Sequence, residues 1–303
     1  ILSTAYGDVQ PEDKWVSIGG TDRKYNRLGE RTNTSLFLEH NVIVGGFTLS
    51  AGLLANRNTA LDGKFRLYPG VDVSYRPNDE WKVYASWNRA LRVPTYTDLY
   101  TSNSVQQGDI ALRPEKNEAF KVGTRYRTHG FEAVLSGFYS KGTDIIDWVY
   151  PTAESKKYQA MNIGKLDNMG YSVDAALHLQ ELLPKFFITR IKAGYAFIHQ
   201  KHSTDGDVFG SLYALEYLRH KATLQLDHRI WRHLTASWAL RWQERMNGYH
   251  PYTKVDVRLQ WSTPTYNIYV KADNITNHHY YDLGNVKQPG IWVMAGASVK
   301  LKF

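Results

Sequence analysis

The clearest hydrophobic pattern in the chain lies at its end, in residues 292–303. From Val293 onward every second residue is apolar, namely Val293, Ala295, Ala297, Val299, Leu301 and Phe303. The residues between them include the polar Ser298, Lys300 and Lys302. A strict period of two predicts a β-strand with one apolar and one polar face. An aromatic residue at the end of such a strand is typical of a transmembrane β-barrel, so we expect Val299, Leu301 and Phe303 to face lipid.

The same alternation recurs along the rest of the chain. In residues 252–262, for example, Val255, Val257 and Leu259 alternate with Lys254, Asp256 and Arg258. We identify about fourteen such segments, each close to the ~10 residues that a tilted membrane strand requires. Around residue 131 the phase is ambiguous, which indicates a bulge. A helical period is arguable only in residues 211–217.

The connections between these segments fall into two classes that alternate along the chain. The short ones are residues 43–46, 77–80, 128–130, 181–185, 230–233 and 262–265. The long, polar ones are residues 21–32, 57–66, 93–117, 149–165, 201–216, 247–251 and 283–290. Because all the short connections would lie at one end, the pattern predicts an all-β, antiparallel transmembrane β-barrel meander with short periplasmic turns and long extracellular loops. A large soluble all-β protein is the alternative.

Composition and charge narrow the possible functions. The chain has 303 residues, no cysteine, a mean hydropathy of −0.46 and a net charge of +8. It has no apolar run of ~18 residues, which excludes a transmembrane helix, but alternation conceals the hydrophobicity of a barrel. Lys and Arg are interleaved with Asp and Glu, and no basic run of five occurs, so we expect no nucleic-acid partner.

Three stretches carry motifs beyond the alternation. The first is WKVYASWNRALRVPTYTDLY (residues 81–100), followed by GDIALRPEKNEAFKVGTRYR (108–127). The second is GTDIIDW (142–148), followed by NIGKLDNMGYSVDAAL (162–177). The third is VKADNITNHHYYD (270–282), followed by QPGIWVMAGASVKLKF (288–303). In this order and spacing they resemble the C-terminal barrel half of TonB-dependent outer-membrane receptors.

The resemblance implies an architecture and a location. Receptors of this family form a barrel of about 22 strands around a plug domain. We therefore expect residues 1–303 to be the C-terminal part of a 22-stranded barrel, without the plug domain and the first strands. The expected location is the outer membrane of a Gram-negative bacterium. The expected partners are membrane lipid, the protein's own plug domain, TonB acting through that plug, a small-molecule ligand and a surface lipoprotein.

The resemblance also implies a function, which is active uptake of a scarce, bulky nutrient without a cofactor. The stretch RVPTYTDLY and the short hairpin TDIIDW are closest to the cobalamin-receptor branch, so cobalamin is the favoured ligand. A ferric siderophore or haem receptor of the same family is the alternative.

Aromatic and amide side chains in the long loops are the candidate ligand-binding groups. Flat rings with a few polar partners suit a bulky, partly apolar ligand. The candidates are Tyr96, Tyr100, Gln106, Trp148, Tyr150, Tyr249, Tyr280 and Gln288. Tyrosine and tryptophan also collect at membrane interfaces, so a belt role is open for each ring.

Three cations on neighbouring predicted strands are expected to point into the barrel lumen. These are Arg241, Arg258 and Lys271. They could steer an anionic ligand or form ion pairs with the plug, and we favour contact with the plug.

Other kinds of site have weaker support. His278 and His279, with Asp282 and His250 nearby, could suggest a metal or haem site, but neighbours on a strand point to opposite faces. We therefore expect no metal site. No spacing of Ser, His and Asp selects a catalytic triad, so we expect no enzyme. A passive porin and a barrel enzyme remain alternatives, and the residues that precede Ile1 would distinguish them from a receptor.

Overall fold

The computed structural model describes residues 2–7, 16–17, 24–25, 29–59, 61–204, 208–215, 217–246, 248–282 and 286–300. Nearly all of its regular secondary structure is β-strand. In the first half of the chain the strands are β1 (Leu2–Gly7), β2 (Val16–Ser17), β3 (Lys24–Tyr25), β4 (Gly29–Val44), β5 (Phe47–Asn58), β6 (Phe65–Tyr75), β7 (Trp81–Arg92), β8 (Gln106–Gln107), β9 (Glu115–Thr128), β10 (Phe131–Thr143) and β11 (Ile146–Tyr150).

The second half continues the same architecture. Its strands are β12 (Tyr158–Asn162), β13 (Lys165–Leu177), β14 (Ile188–Ser203), β15 (Gly210–Ser211), β16 (Leu218–Trp231), β17 (Leu234–Arg245), β18 (Tyr252–Ser262), β19 (Tyr266–Asp273), β20 (Tyr281–Asp282), β21 (Val286–Lys287) and β22 (Trp292–Val299). Two short helices are α1 (Tyr96–Tyr100) and α2 (Leu179–Leu182). In the described residues, no helix is long and apolar enough to cross a membrane.

One antiparallel meander dominates the fold. It is a 14-stranded sheet in the order β1-β4-β5-β6-β7-β9-β10-β13-β14-β16-β17-β18-β19-β22. Each long strand pairs with the long strand that follows it in the chain, which confirms the predicted all-β antiparallel meander. Within the described residues the sheet runs from β1 at one edge to β22 at the other.

The strand register keeps the two faces of this sheet chemically distinct. Leu240 lies opposite Leu224 on one neighbour and Val255 on the other, while Arg241 lies opposite Thr223 and Lys254. We call the side that carries Leu240 the apolar face and the side that carries Arg241 the polar face.

Large hydrophobic side chains on the apolar face are widely exposed, and Phe120, Val122 and Leu259 are examples. A continuous apolar surface of this extent is what a membrane strand presents to lipid and what a soluble protein buries.

The connections follow the predicted asymmetry, with one correction. In the described residues the short turns lie at one end of the sheet and the long loops at the other, while most of the loop predicted at residues 21–32 lies outside those residues. The connection predicted as a tight turn at residues 181–185 is instead the ten-residue segment 178–187, which contains α2. Several of the long loops contain short strands or a helix, whereas at the opposite end only the segment 178–187 does.

Two local predictions were wrong. β10 pairs in unbroken register with both β9 and β13, so there is no bulge at residue 131. The pattern is ambiguous there because Val134 and Phe138 are apolar residues on the polar face. Register shifts occur instead between Ile188 and Arg190 and near both ends of β16. Residues 211–217 are also not helical where they are described.

Aromatic rings gather near the short turns. Phe47 stacks on Tyr75 with ring centroids 4.2 Å apart. Trp231 on β16 and Trp261 on β18 lie 6.0 Å apart, one on each side of Leu234 in β17. Rings with an apolar body and a polar edge are favoured where hydrocarbon meets water.

Candidate functional site

Three of the long loops join to form a second, smaller sheet. β11 and β12 come from the loop between β10 and β13, β8 comes from the loop between β7 and β9, and β15 comes from the loop between β14 and β16. They form a four-stranded sheet in the order β15-β11-β12-β8. We call it the loop sheet. Its β12–β8 pairing is parallel, with Tyr158 opposite Gln106.

The loop sheet has its own apolar core. The buried hydrophobic residues of the described chain include Ile146, Trp148, Val149, Ala160 and Ile163, all of which belong to β11 and β12 or directly follow them. The large sheet exposes many of its large apolar side chains, and most of the buried hydrophobic residues of the described chain lie in or beside the loop sheet. Burial of these side chains gives the three loops a defined arrangement.

A buried carboxylate joins β11 to β15. Asp147 is only 1% exposed. Its Oδ2 atom accepts hydrogen bonds from the Ser211 hydroxyl and from the Ala214 N–H at 2.9 Å. Its Oδ1 atom accepts from the Trp148 N–H at 2.8 Å. Burial raises the pKa of the Asp147 carboxyl, and the hydrogen bond from Ser211 offsets part of that effect.

An arginine at the end of β7 fixes the start of two loops. The Arg92 guanidinium binds both carboxylate oxygens of Glu115 at 2.7 Å. It also donates to the Ile146 carbonyl at 3.2 Å, and it lies 3.4 Å from Asp98 Oδ2 in α1. Glu115 in turn accepts from the Ile146 N–H at 2.7 Å. Bidentate arginine–carboxylate pairs combine strength with directional specificity, so this group orients α1 and β11 together.

A second group of polar contacts joins the loop between β7 and β9 to the loop between β10 and β13. Arg113 contacts the Asp144 carboxylate at 2.7 Å. The Asn162 amide donates to the carbonyls of Arg113 and Asp144 at 2.9 and 2.7 Å, and its oxygen accepts from the Arg113 N–H. The motif segments LRPE, GTDIIDW and NIGK therefore contact one another. Their role in these contacts is structural, because they hold the two loops together.

Tyr96 and Tyr100 lie on α1. Thr95 and Asp98 form a capping box that starts this helix. The two rings are stacked with centroids 6.1 Å apart. The Arg31 guanidinium lies 4.8 Å from the Tyr96 centroid and donates to the Pro94 carbonyl at 2.7 Å. The ring pair is therefore attached to β4 as well as to its own loop.

The loop sheet holds three more of the predicted ligand residues. Gln106 lies in β8, and the Tyr150 ring packs on Tyr158 at 4.0 Å. Trp148 is 6% exposed and fills the core of the loop sheet. In this conformation its ring is covered by protein, while the rings of Tyr96, Tyr100 and Tyr150 are half-buried.

The remaining predicted ligand residues lie in the last two long loops of the chain. Tyr280 is buried and stacks on Tyr252 at 4.3 Å. The Gln288 N–H donates to the Tyr280 carbonyl at 2.9 Å. Tyr249 lies half-buried in the loop between β17 and β18. The predicted ligand residues therefore lie either on α1 and the loop sheet or in the loops that follow β17 and β19.

The three predicted lumen cations lie on the polar face. Arg258 lies opposite Lys271 in the register, and its guanidinium is 4.1 Å from the Tyr269 centroid. Lys271 forms an ion pair with Asp273 at 2.9 Å. Of the predicted lipid-facing residues, Val299 is on the apolar face and 67% exposed, whereas Leu301 and Phe303 fall outside the described residues.

The comparison with protein families decides the identity of the fold. The family model described as "TonB dependent receptor-like, beta-barrel" matches residues 2–275. The chain belongs to the TonB-dependent receptor family. Members of this family are outer-membrane proteins of Gram-negative bacteria that bind small-molecule ligands and TonB. No curated protein matches the chain.

Solved structures of several other proteins share the fold of this TonB-dependent receptor chain. The FrpB iron transporter of Neisseria meningitidis matches with a TM-score of 0.67 and 20% identity, over 88% of this chain and 45% of that one. A mutant of the ferric enterobactin receptor of Pseudomonas aeruginosa matches with 0.68 and 16%, over 96% and 48%. The copper transporter OprC matches with 0.71 and 17%, over 95% and 51%. The chain spans about half the length of these proteins.

The histidines of this TonB-dependent receptor do not form a metal-binding group in the described residues. There, no group of three or more His, Asp or Glu side chains could hold a metal ion. His278 and His279 are exposed and lie outside the strands, and the His278 ring stacks near Tyr252 at 6.3 Å. Asn274 positions this segment, because its side chain bonds both the N–H and the carbonyl of His278 at 3.0 Å.

Sequence reasoning missed the residues that hold the loops together. The sequence patterns do not identify Arg92, Glu115, Asp147 or Ser211 as site residues, although the first three lie within the motif stretches 81–100, 108–127 and 142–148. The sequence does contain two signals for them. One is a charged residue directly beside a strand end, and the other is a charged residue inside an apolar stretch such as IIDWV. Buried carboxylates need specific partners, and such partners are visible only in three dimensions.

Proposed function

We propose that this chain is the C-terminal barrel portion of a receptor that takes up a scarce, bulky nutrient across the outer membrane. The observation that carries the proposal is the loop sheet, which joins three long loops at the end opposite the short turns and contains a buried apolar core from β11 and β12. Loops that were only connections would need no such core. A fixed arrangement of loops supplies the pre-organised surface that tight ligand binding requires.

Cobalamin is the ligand that we favour. The support is the similarity of residues 92–100 and 143–148 to the cobalamin-receptor branch, and the presence of half-buried tyrosine rings in the same loops. A flat, bulky ligand gains affinity from such rings. A ferric siderophore or haem is the second candidate, because the similar structures are named as iron, ferric enterobactin and copper proteins.

Titration of the natural full-length protein with three probes tests this order. We expect cyanocobalamin to bind with the highest affinity, followed by ferric enterobactin and haem, in fluorescence-quenching titrations in detergent. Tight binding of ferric enterobactin or haem without cyanocobalamin binding would reverse the order and leave the receptor proposal in place. Failure of all three probes, in a protein that still shows heat-modifiable migration on gels, would contradict the nutrient class itself.

The lumen of the complete barrel would be filled by a plug domain from another part of the protein. Arg241, Arg258 and Lys271 are on the polar face, which would line that lumen. We propose that they contact the plug. Deletion of the plug should then increase the accessibility of these side chains to a water-soluble arginine- or lysine-modifying reagent.

The orientation in the membrane can be tested with single cysteines, since the chain has none of its own. Ala153 is exposed beside the loop sheet, and Asp79 is exposed in the short turn between β6 and β7. In intact cells a membrane-impermeant maleimide should label Ala153→Cys strongly and leave Asp79→Cys unlabelled. Both variants should react equally after the cells are lysed. Stronger labelling of Asp79→Cys in intact cells would invert the proposed orientation.

A further inference from the structure

The segment between β13 and β14 presents a cluster of apolar side chains at the short-turn end of the sheet. It comprises residues 178–187, with the sequence HLQELLPKFF, and contains α2. Leu182, Leu183, Phe186 and Phe187 are all exposed, Leu183 by 53% and Phe187 by 57%. We call these four residues the rim cluster. A turn at this end does not require apolar residues, because residues 76–80 connect β6 to β7 with RPNDE.

Backbone contacts hold the segment against the structure on either side of it. At its start, the His178 N–H donates to the carbonyl of Gly130, in the turn between β9 and β10, at 2.7 Å. At its end, the Phe187 carbonyl accepts from the Arg229 N–H on β16 at 2.7 Å. Leu182 also packs closely on Gly130, since a Cβ atom at that glycine would lie only 2.5 Å from the leucine Cγ. The segment therefore has a defined position at the end of the sheet.

One end of the rim cluster is continuous with the apolar face. The Phe187 ring meets the His228 ring edge-on, with centroids 6.4 Å apart. His228 accepts a hydrogen bond from the Trp238 indole at 3.1 Å. Trp238 lies two residues from Leu240 on the same strand, so it belongs to the apolar face. Phe187 thus extends the surface that carries Trp238.

The other end adjoins the same face through the neighbouring turn. Gly130, on which Leu182 packs, directly precedes Phe131. The Phe131 ring lies 6.2 Å from Tyr126, and Tyr126 lies 4.7 Å from Trp81. Trp81 and Tyr126 lie opposite each other on the apolar face of β7 and β9. The rim cluster therefore prolongs the apolar face beyond the ends of the strands.

Cations accompany the rim cluster. Lys185 is exposed within the segment, and Arg232 is exposed in the next turn with its guanidinium 5.9 Å from the Trp231 centroid. Among the described residues, neither cation forms an ion pair. A long cationic side chain can keep its charge among headgroups while its methylene groups and its apolar neighbours enter the membrane. Exposed apolar residues next to cations are therefore typical of a segment at a membrane interface.

We propose that the rim cluster inserts into the periplasmic leaflet of the outer membrane and anchors the short-turn end of β13 and β14 there. Continuity with the apolar face favours the leaflet over a periplasmic protein, because the cluster adjoins the surface that meets lipid. The inference concerns a part of the chain remote from the ligand loops, and it rests on the proposed orientation with the short turns in the periplasm.

Spin labels on single cysteines test the insertion, since the chain has no cysteine of its own. Leu183→Cys and Phe187→Cys are made separately in the full-length receptor, which is reconstituted in vesicles of phosphatidylethanolamine and phosphatidylglycerol. The accessibility of each nitroxide to oxygen, which concentrates in the membrane, is compared with its accessibility to a water-soluble nickel chelate. We expect oxygen accessibility to exceed nickel accessibility at both positions. All the labelled residues are exposed, so the labels should not disturb folding.

Two further labels serve as matched controls. Val122→Cys lies on the apolar face within β9 and should be more accessible to oxygen, whereas Asp79→Cys in the turn between β6 and β7 should be more accessible to nickel. If Val122→Cys behaved as expected while Leu183→Cys or Phe187→Cys resembled Asp79→Cys, the rim cluster would lie in water and the inference would be overturned alone. If Val122→Cys were itself more accessible to nickel, membrane insertion of the sheet would be wrong, and with it the proposed function.

Discussion

Asp147→Ala will disconnect β15 from β11 and expose the core of the loop sheet. The substitution leaves the Ser211 hydroxyl and the Ala214 N–H without their acceptor inside the protein. Each buried donor that loses its partner costs about 1–3 kcal/mol. We therefore expect local unfolding of residues 208–215, with amide hydrogen exchange accelerated by more than tenfold there and little change in the large sheet.

The control for this prediction is Glu154→Ala in the same loop. Glu154 is exposed, so its removal should leave exchange at residues 208–215 unchanged. If Asp147→Ala exchanged at the same rate as Glu154→Ala, the carboxylate would not hold the loops together. Ligand affinity should also be lower in Asp147→Ala than in Glu154→Ala. A ligand that binds disordered loops must supply the free energy that orders them.

The same carboxylate predicts a pH dependence. Burial raises the pKa of Asp147 above its ordinary value. The protonated form is thus favoured in the folded loops, and their stability falls as pH rises from the ordinary aspartate pKa through the raised one. Protection factors at residues 208–215, in which exchange rates are corrected for the intrinsic pH dependence of amide exchange, should fall over that acidic window in the natural protein. In Asp147→Asn, which cannot ionise, these protection factors should stay constant with pH, and identical profiles would refute the assignment.

Alanine substitution of the half-buried loop rings will lower ligand affinity far more than it lowers stability. Tyr96, Tyr100 and Tyr150 are the half-buried rings on α1 and the loop sheet. A ring that becomes fully buried against a ligand contributes about 1–3 kcal/mol. This range corresponds to roughly 5- to 150-fold weaker binding for each ring that truly contacts the ligand. The measurement is a titration of the full-length receptor with the tightest-binding probe.

Two comparisons give this prediction its specificity. Trp261→Ala removes a ring that packs on Trp231 near the short turns, so it should lower thermal stability and leave affinity unchanged. Trp148→Ala removes the core of the loop sheet and should impair both properties. If Tyr96→Ala, Tyr100→Ala and Tyr150→Ala all bound the probe as tightly as the natural protein, the ligand site would lie elsewhere, and the Tyr252–Tyr280 pair would be the next region to test.

The meander could be predicted because its signal is local and repeated. Side chains on a strand alternate between faces, and a sheet between lipid and water requires that alternation in every strand. The prediction failed where apolar side chains lie on the polar face of the sheet. Val134 and Phe138 are apolar residues on the polar face of β10, and they suggested a bulge where the register is continuous.

The sequence by itself determined the strands, their order, the two faces and the end at which the long loops lie. Only the tertiary structure decided how those loops are arranged. Asp147 and Ser211 are 64 positions apart, and Arg92 and Ile146 are 54 apart, so no periodicity links them. The same is true of the parallel pairing of β12 with β8. Alternation records only which side of a strand meets lipid, whereas the loop contacts depend on buried polar groups finding partners that are distant in sequence.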